Sequence, residues 1–475
     1  MPGHVHGRLT RHLRLARIVP ARIDHQTKES GNVTEDFKTY RTLGGWIERP
    51  ADLQPSLEGH TNADVVIVGA GFAGLCAALE LARQRVKVVV LEREFCGYGA
   101  SSRNAGYLAG GQGLKYDRFL KRAGHEKAKQ IVRFYQEGVS FAEGKFAEHG
   151  IDCDYNRSGL IRAGIDPSQE ARVREDMRIG AELGCPSEYL DQAEMRARGI
   201  PPAFLFGSYV PTGGTLDPGK YVLGLRRAAL RAGVTIHENT PLLSFTEGPT
   251  VRVQTPRGSV SAPVMILATN AYTPQLGPLA DKVVPLRLSA LETEPLSPVQ
   301  LAALGWHRRE GITTMHRVME SHRLTARNTL VLTTKRLRYP FGSRTPEVPE
   351  HDQYRALRMA LHYRFPPLRG IAIRRCWSGY ISYADDGLPV IGRTGADRNI
   401  YYAAGCSGHG VGTQGMVGHM LAEDIQGIGN PLLVMLMQHA SPATLPEPLR
   451  WLALNGALNV ASGLDERSNR KARRA

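Results

Sequence analysis

The residues best placed to do chemistry are glycines. Gly69, Gly71 and Gly74 stand at G-x-G-x-x-G spacing within VVIVGAGFAGLCAALEL, and Glu92 follows after a further apolar run. Such a set can hold a diphosphate and a ribose. Gly69 permits a turn out of a strand, Gly71 lets backbone approach a pyrophosphate, and Gly74 lets a helix lie close to a sheet. Phe72 and Ala73 open that helix, where unpaired N–H groups and partial positive charge favour phosphate oxygens. The Glu92 carboxylate can accept hydrogen bonds from both hydroxyls of an adenosine ribose and would repel a 2′-phosphate, which disfavours NADP.

A second stretch, REFCGYGASSRNAGYLAGG (93–111), sets Arg93, Ser101, Ser102, Arg103 and Asn104 among the small residues Ala100, Ala105 and Gly106. An NAD enzyme has no need for another Gly- and Ser-rich segment here. FAD, buried along the protein, has further phosphate and ring contacts to satisfy, so these residues favour FAD. Arg103 is the natural pyrophosphate or flavin-edge partner. A third stretch, NIYYAAGCSGHGVGTQGMVGHMLAEDI (399–425), brings Gly405, Gly408, Gly410, Gly412 and Gly415 together with His409 and Val411. Its N–H groups can point inward without Cβ interference.

The elements that must carry these residues are legible in outline. VVIV is a short β-branched run, Leu75, Ala78, Leu79 and Leu81 share one side of a helix, and VKVVVLE reads as a second strand. Residues 63–95 therefore form a βαβ unit, with Arg83-Gln84-Arg85 where such units usually carry a glycine. The third stretch reads as strand, loop, helix. Between them, runs such as TLVLTTKRLRY (329–339) suit an antiparallel sheet roofing the cofactor.

Bulk numbers bound the rest. At 475 residues the chain is too long for one small core. It is 42% hydrophobic, and no apolar run reaches the roughly 18–20 residues of a membrane span. The six cysteines include no C-x-x-C pair, which suits a reducing cytoplasm, and no metal-ligand spacing occurs. The net charge of +15 invites a polyanion hypothesis, but part of the excess sits in RLTRHLRLARIVPAR (8–22) and ERSNRKARRA at the ends, which read as solvated tails. No nucleic-acid module is visible.

The motif series resembles the FAD-dependent glycine/D-amino-acid oxidase (DAO) superfamily, and within it the γ-glutamylputrescine oxidoreductase-like branch. Members show a GxGASGRNGG pattern; here GYGASSRNAG (97–106) departs at Ser102 and Ala105, each adding a side chain beside the expected flavin. The resemblance runs over roughly 40–430 and takes in TLDPGKYVLGLRRAALRAGVTIHENTPLLSF (215–245) and VMILATNAYT (264–273). It implies an α/β + α+β architecture: a Rossmann-like FAD-binding domain, discontinuous in sequence, with an antiparallel-sheet substrate domain. The expected partition is a leader with a disordered start (1–62), cofactor segments at 63–111, 205–276 and 375–430, substrate segments at 112–204 and 277–374, and an extension with a basic tail (431–475).

The resemblance also places the third stretch at the pyrimidine edge of the flavin ring and implies oxidation of a C–N bond in a small amine or amino acid. Oxygen or an electron-transfer partner would then reoxidise the ring. His409 is a weak catalytic candidate; the plainer reading is a hydrogen bond to backbone or flavin. Cys376 stands near the segment through which monomeric sarcosine oxidases attach FAD, although its spacing to Asp385 and Asp386 fits poorly, so non-covalent FAD is favoured. Arg317, Arg323, Arg327, Arg336 and Arg338 are candidate carboxylate clamps, and Trp377 and Tyr380 candidate pocket walls. No strand after Leu108 runs directly into a second G-x-G-x-x-G, which points to a small organic reductant rather than NAD(P)H; a flavin monooxygenase using NAD(P)H stands as an alternative. A non-catalytic flavin subunit and a tRNA-base-modifying flavoprotein are others. The residues leave the amine and the oligomeric state open.

Overall fold

A computed structural model describes residues 45–473. The basic stretch 8–22, the expected disordered start and the last two residues of the basic tail lie outside the described residues.

The βαβ unit forms as its pattern requires: strand Val65–Val68, helix Phe72–Arg83, strand Val88–Leu91. In place of a glycine, Arg85 adopts φ +62° to turn the chain from helix to strand. These strands lie inside a six-stranded sheet ordered Val390–Thr394, Ile400–Ala404, Val264–Leu267, Val65–Val68, Val88–Leu91, Thr235–His237. All neighbours are parallel except the Val390–Thr394 edge. Both faces are covered, which is why VVIV and VVVL are apolar at every position rather than alternating. Val65, Ile67, Val88 and Val90 join the core beneath the helices. Val66, Val68, Val89 and Leu91 face a separate four-stranded sheet, meeting Phe245, Val251, Val253 and Val260.

That four-stranded sheet (Gly59–Asn62, Gly258–Ala262, Val251–Gln254, Ser244–Thr246) has no counterpart in the sequence reading. Its strands are three to five residues long, too short for periodicity to show.

The second body is an eight-stranded sheet ordered Ile373–Ala384, Val283–Thr293, Leu330–Thr333, Ser321–Leu324, Gly311–Thr314, Leu160–Gly164, Phe206–Val210, Glu188–Leu190. It is mixed, not purely antiparallel, because Gly311–Thr314 runs parallel to Leu160–Gly164. Phe206–Val210 and Ile373–Ala384, which the sequence reading assigns to cofactor segments, both pair within this sheet. A two-stranded ribbon, Tyr107–Ala109 with Gly213–Thr215, lies between the bodies.

The C-terminal helix Leu449–Ala472 also differs from expectation. Its end is anchored while its basic side chains Arg467, Arg470, Lys471 and Arg473 stay exposed: Asp465 accepts the N–H groups of Arg317 and Val318 at 2.9 and 2.8 Å, and Asn469 is buried against His316 and Arg364. Nearer its start, Leu454 and Leu458 pack against the cluster of Val284, Leu286 and Tyr339, and Asn455 exchanges hydrogen bonds with the Tyr339 backbone.

Candidate active site

The three glycine-bearing stretches meet. Gly69, at φ +104°, leaves the first strand so close to the neighbouring strand end that a Cβ would sit 2.7 Å from the Ala268 carbonyl oxygen. A Cβ on Gly74 would lie 1.9 Å from the Gly69 oxygen, so glycine there sets how closely the helix approaches its own strand. The third stretch forms the helix Gly410–Ile425, which crosses the first helix where Gly418 touches Ala73 backbone.

At the first helix start, Gly71 has no capping side chain, and the Phe72 N–H donates to Ser101 Oγ at 3.1 Å. A Cβ on Gly71 would lie 2.8 Å from that hydroxyl. Ser101 thus stands where the helix presents its free donors. Glu92 ends the second strand with one oxygen accepting the Ala70 N–H at 2.8 Å and the other accepting the Glu94 N–H at 3.1 Å. Burial raises its pKa, and these two donors oppose the rise. Arg93 lies over the Tyr272 ring, 4.9 Å from its centroid.

In the second stretch, Asn104 builds the turn. Its amide donates to the Ala100 and Ser101 carbonyls at 3.0 Å each, and its oxygen accepts the Gly106 N–H at 2.8 Å. Its side chain is therefore occupied internally rather than offered to a ligand. Ala105 is half-buried, and Gly106 takes φ +74° against the Leu216 carbonyl. Arg103 is 2% exposed, donates to Glu347 at 2.7 Å and lies over the Tyr98 ring. Glu347, absent from the sequence reading, is thus a partner of the expected pyrophosphate arginine.

In the third stretch, Gly405 and Gly408 take φ +70° and +95°, and the Gly405 N–H donates to Ser382 Oγ at 2.9 Å. His409 caps the helix with its backbone; its Nε2 donates to the Gln112 carbonyl at 3.2 Å and its ring meets Tyr135 edge-on. Burial pushes its pKa down, disfavouring the charged imidazolium. That favours the plainer reading of His409 over a charged catalytic one. Asn270 reaches Cys406 Sγ at 3.8 Å, and Val411 is buried at the helix start.

Cys376 faces away. It pairs in register with Leu291 and joins the apolar cluster of Leu291 and Leu332, with its thiol pushed up to about 12 by burial. Strand alternation turns Trp377 to the opposite face, where its Nε1 donates to the Arg103 carbonyl at 3.1 Å. A covalent link through Cys376 does not fit this register. Tyr380 donates to the Pro346 carbonyl. Of the five candidate arginines, Arg317, Arg336 and Arg338 are exposed, while Arg323 is buried and Arg327 pairs with Asp217 and Glu292.

Trp46 was missed. Its N–H groups donate to the Ser102 and Asn104 carbonyls, and its ring meets Trp377 at 5.9 Å, so the residues preceding the first strand brace the second stretch. Nothing in its local sequence could have shown this, because every partner lies more than fifty residues away.

These residues fit FAD. Among the buried polar atoms without a protein partner, Ser102 Oγ, Arg103 Nε and Nη2 and Gln414 Nε2 belong to the converging stretches, and Gln112 Nε2 and Asn270 Oδ1 to residues beside them. A long, polar ligand supplies such partners, whereas an apolar one would leave them unpaired at a cost of about 1–3 kcal/mol each.

Comparison with known proteins agrees. The family model described as DAO, FAD dependent oxidoreductase, matches residues 64–424. The γ-glutamylputrescine oxidoreductase of Escherichia coli is 30% identical over 398 residues, covering 83% of this chain and 90% of its own. A probable oxidoreductase OrdL of Haemophilus influenzae is 30% identical over 387 residues, 80% of this chain and 86% of its own. The crystal structure of glycine oxidase from Geobacillus kaustophilus superposes with a TM-score of 0.68 at 20% identity, covering 80% of this chain and all of that one. With the three glycine-bearing stretches converged and a family model spanning them all, the chain belongs to the DAO family of FAD-dependent oxidoreductases.

Proposed function

We propose that this protein dehydrogenates a C–N bond in a small amine or amino acid, giving an imine that water hydrolyses. The observation that carries the reading is the assembled cofactor site, set against the mixed sheet. FAD held by these residues would supply a two-electron, hydride-accepting ring.

The chain's own residues position, neutralise and exclude water. The free donors of the first helix and Ser101 would hold the pyrophosphate, and Glu92 the adenosine ribose. The helix Gly410–Ile425 starts without a capping side chain, so its N–H groups and partial positive charge are available to negative charge on the ring. His409 donates to Gln112, and burial makes it a weaker base than an ordinary imidazole. A neutral amine needs positioning and dryness more than a base.

The relatives named γ-glutamylputrescine oxidoreductase and glycine oxidase support the amine class. The electron acceptor in this reading is oxygen or an electron-transfer partner. No helix among the described residues is long and apolar enough to cross a membrane, and all six cysteines are unpaired and buried, which suits the cytoplasmic placement we propose.

An anaerobic screen of amines and amino acids against the purified yellow protein tests this. Bleaching of the oxidised-flavin absorption by an amine is expected. Bleaching by NADPH alone, with no response to any amine, would overturn it.

A further inference from the structure

The C-terminal helix Leu449–Ala472 lies beyond residue 424, where the family match ends, and only one of its faces is spent on the rest of the protein. Leu454 and Leu458 pack on the Tyr339 cluster, and Asp465 and Asn469 bind the 316–318 segment.

The opposite face is unlike that of an ordinary surface helix. Leu449, Ala453, Gly456, Val460 and Gly463 follow one another at alternating spacings of four and three, so they lie along one stripe. All five are exposed, and a Cβ added to Gly456 or Gly463 would meet nothing. Leu449, Leu452 and Val460 are 55, 58 and 65% exposed. From Trp451 to Leu464, about four turns, the helix carries no charged residue, where a solvated face would carry several. The patch widens at the helix start. Glu447 accepts from the Gly342 N–H at 3.1 Å, which ties the exposed Phe341 to the exposed Leu445 and Leu449. At the other end the stripe turns basic: Arg467, Arg470 and Lys471 continue it, are exposed, and meet no acid among the described residues.

Scattered exposed apolar side chains are ordinary, but a continuous strip that ends in cations calls for a partner. A second copy of this chain does not supply one. Paired in parallel, the two helices would set cation against cation. Paired antiparallel, each basic end would lie over the start of the other helix, itself a site of partial positive charge. The only acid there between Ala440 and Leu464 is Glu447, already held by Tyr339 and Gly342.

We propose that this face rests on an anionic lipid surface, with the apolar strip sunk at the edge of the acyl chains and Arg467, Arg470 and Lys471 on the headgroup phosphates. Apolar area supplies the hold, and the cations supply the preference for negative lipid. The contact is peripheral, because the inner face of the helix stays docked on the protein.

The test is sedimentation of the full-length, FAD-loaded protein with vesicles of phosphatidylcholine alone and of phosphatidylcholine mixed equally with phosphatidylglycerol. Retention on the mixed vesicles, absent from the neutral ones and falling as salt is added, is expected. L452E/V460E should weaken it roughly 100-fold, and R467Q/R470Q/K471Q roughly 10–100-fold. Trp451 gives a second measurement on otherwise unaltered protein. The other three tryptophans, Trp46, Trp306 and Trp377, are buried, so brominated phosphatidylglycerol should quench the exposed Trp451, and the quenching should vanish in W451F. No retention on the mixed vesicles, or no quenching, would overturn the lipid contact. Undiminished retention of L452E/V460E would overturn the part of the helix and assign the binding to charge elsewhere, such as 8–22. A protein that ignores vesicles but forms a dimer, which L452E/V460E returns to monomers, would make the strip a contact between copies instead. Lipid binding needs no turnover, so a failed amine screen leaves the result intact.

Discussion

Ser101 is the side chain at which the cofactor site is most exposed to a single substitution. Replacing it with alanine removes the partner of the Phe72 N–H and the hydroxyl beside Gly71. Loss of about 1 kcal/mol is expected, a roughly fivefold weaker hold on FAD in titrations of the apoprotein. Cys376 should behave in the opposite way. With its thiol among Leu291 and Leu332, denatured C376A and unaltered protein should release their yellow colour into the supernatant alike. Colour that stays with the unaltered chain and leaves C376A would contradict the strand register. The sequence reading reached Gly69, Gly74 and Ser101 because their constraint is local: a missing Cβ or a hydroxyl beside a helix start. Arg103 and Asn104 were legible only as polar residues near FAD. One has a partner 244 positions away, Glu347, and the other turns its amide back on its own loop.

Among the elements, the crossing of the two glycine-lined helices has no room for a side-chain carbon. A Cβ on Gly418 would sit 1.9 Å from the Ala73 carbonyl oxygen, a backbone atom that no side-chain rotation can move. G418A should therefore destabilise the fold by about 1–3 kcal/mol, seen as a lower Tm, through separation of the helices rather than loss of any ligand contact. The sequence showed that both helices exist but not that they touch, because contact between them depends on the order of strands beneath. The same limit hid the four-stranded sheet and moved Phe206–Val210 and Ile373–Ala384 out of their expected segments. Alternation reveals a strand; it does not name the sheet.

At the scale of the whole molecule, the C-terminal helix closes over a buried ionic group. Glu320 is surrounded by Lys335, Arg364, His316 and His322, and Asn469 of the helix reaches Arg364 and His316. Burial holds His322 at a pKa of about 3 and lowers that of His316. Below its ordinary pKa of about 6.5 the unfolded chain takes up a proton that the folded His322 refuses, so stability falls as pH drops from there toward about 3. Thermal unfolding followed from roughly pH 7 to pH 5, above the range in which Glu320 titrates, should show a falling Tm, with a shallower slope in H322Q. The placement of Trp46 has a consequence for synthesis. The first strand emerges early, yet its neighbours in the six-stranded sheet come from positions 264–267 and 400–404, and the tryptophan just ahead of it waits for a strand made at 373–384. On the ribosome the nucleotide cleft stays open until nearly the whole polypeptide has been translated, so flavin is sealed in at the end of manufacture and not during it.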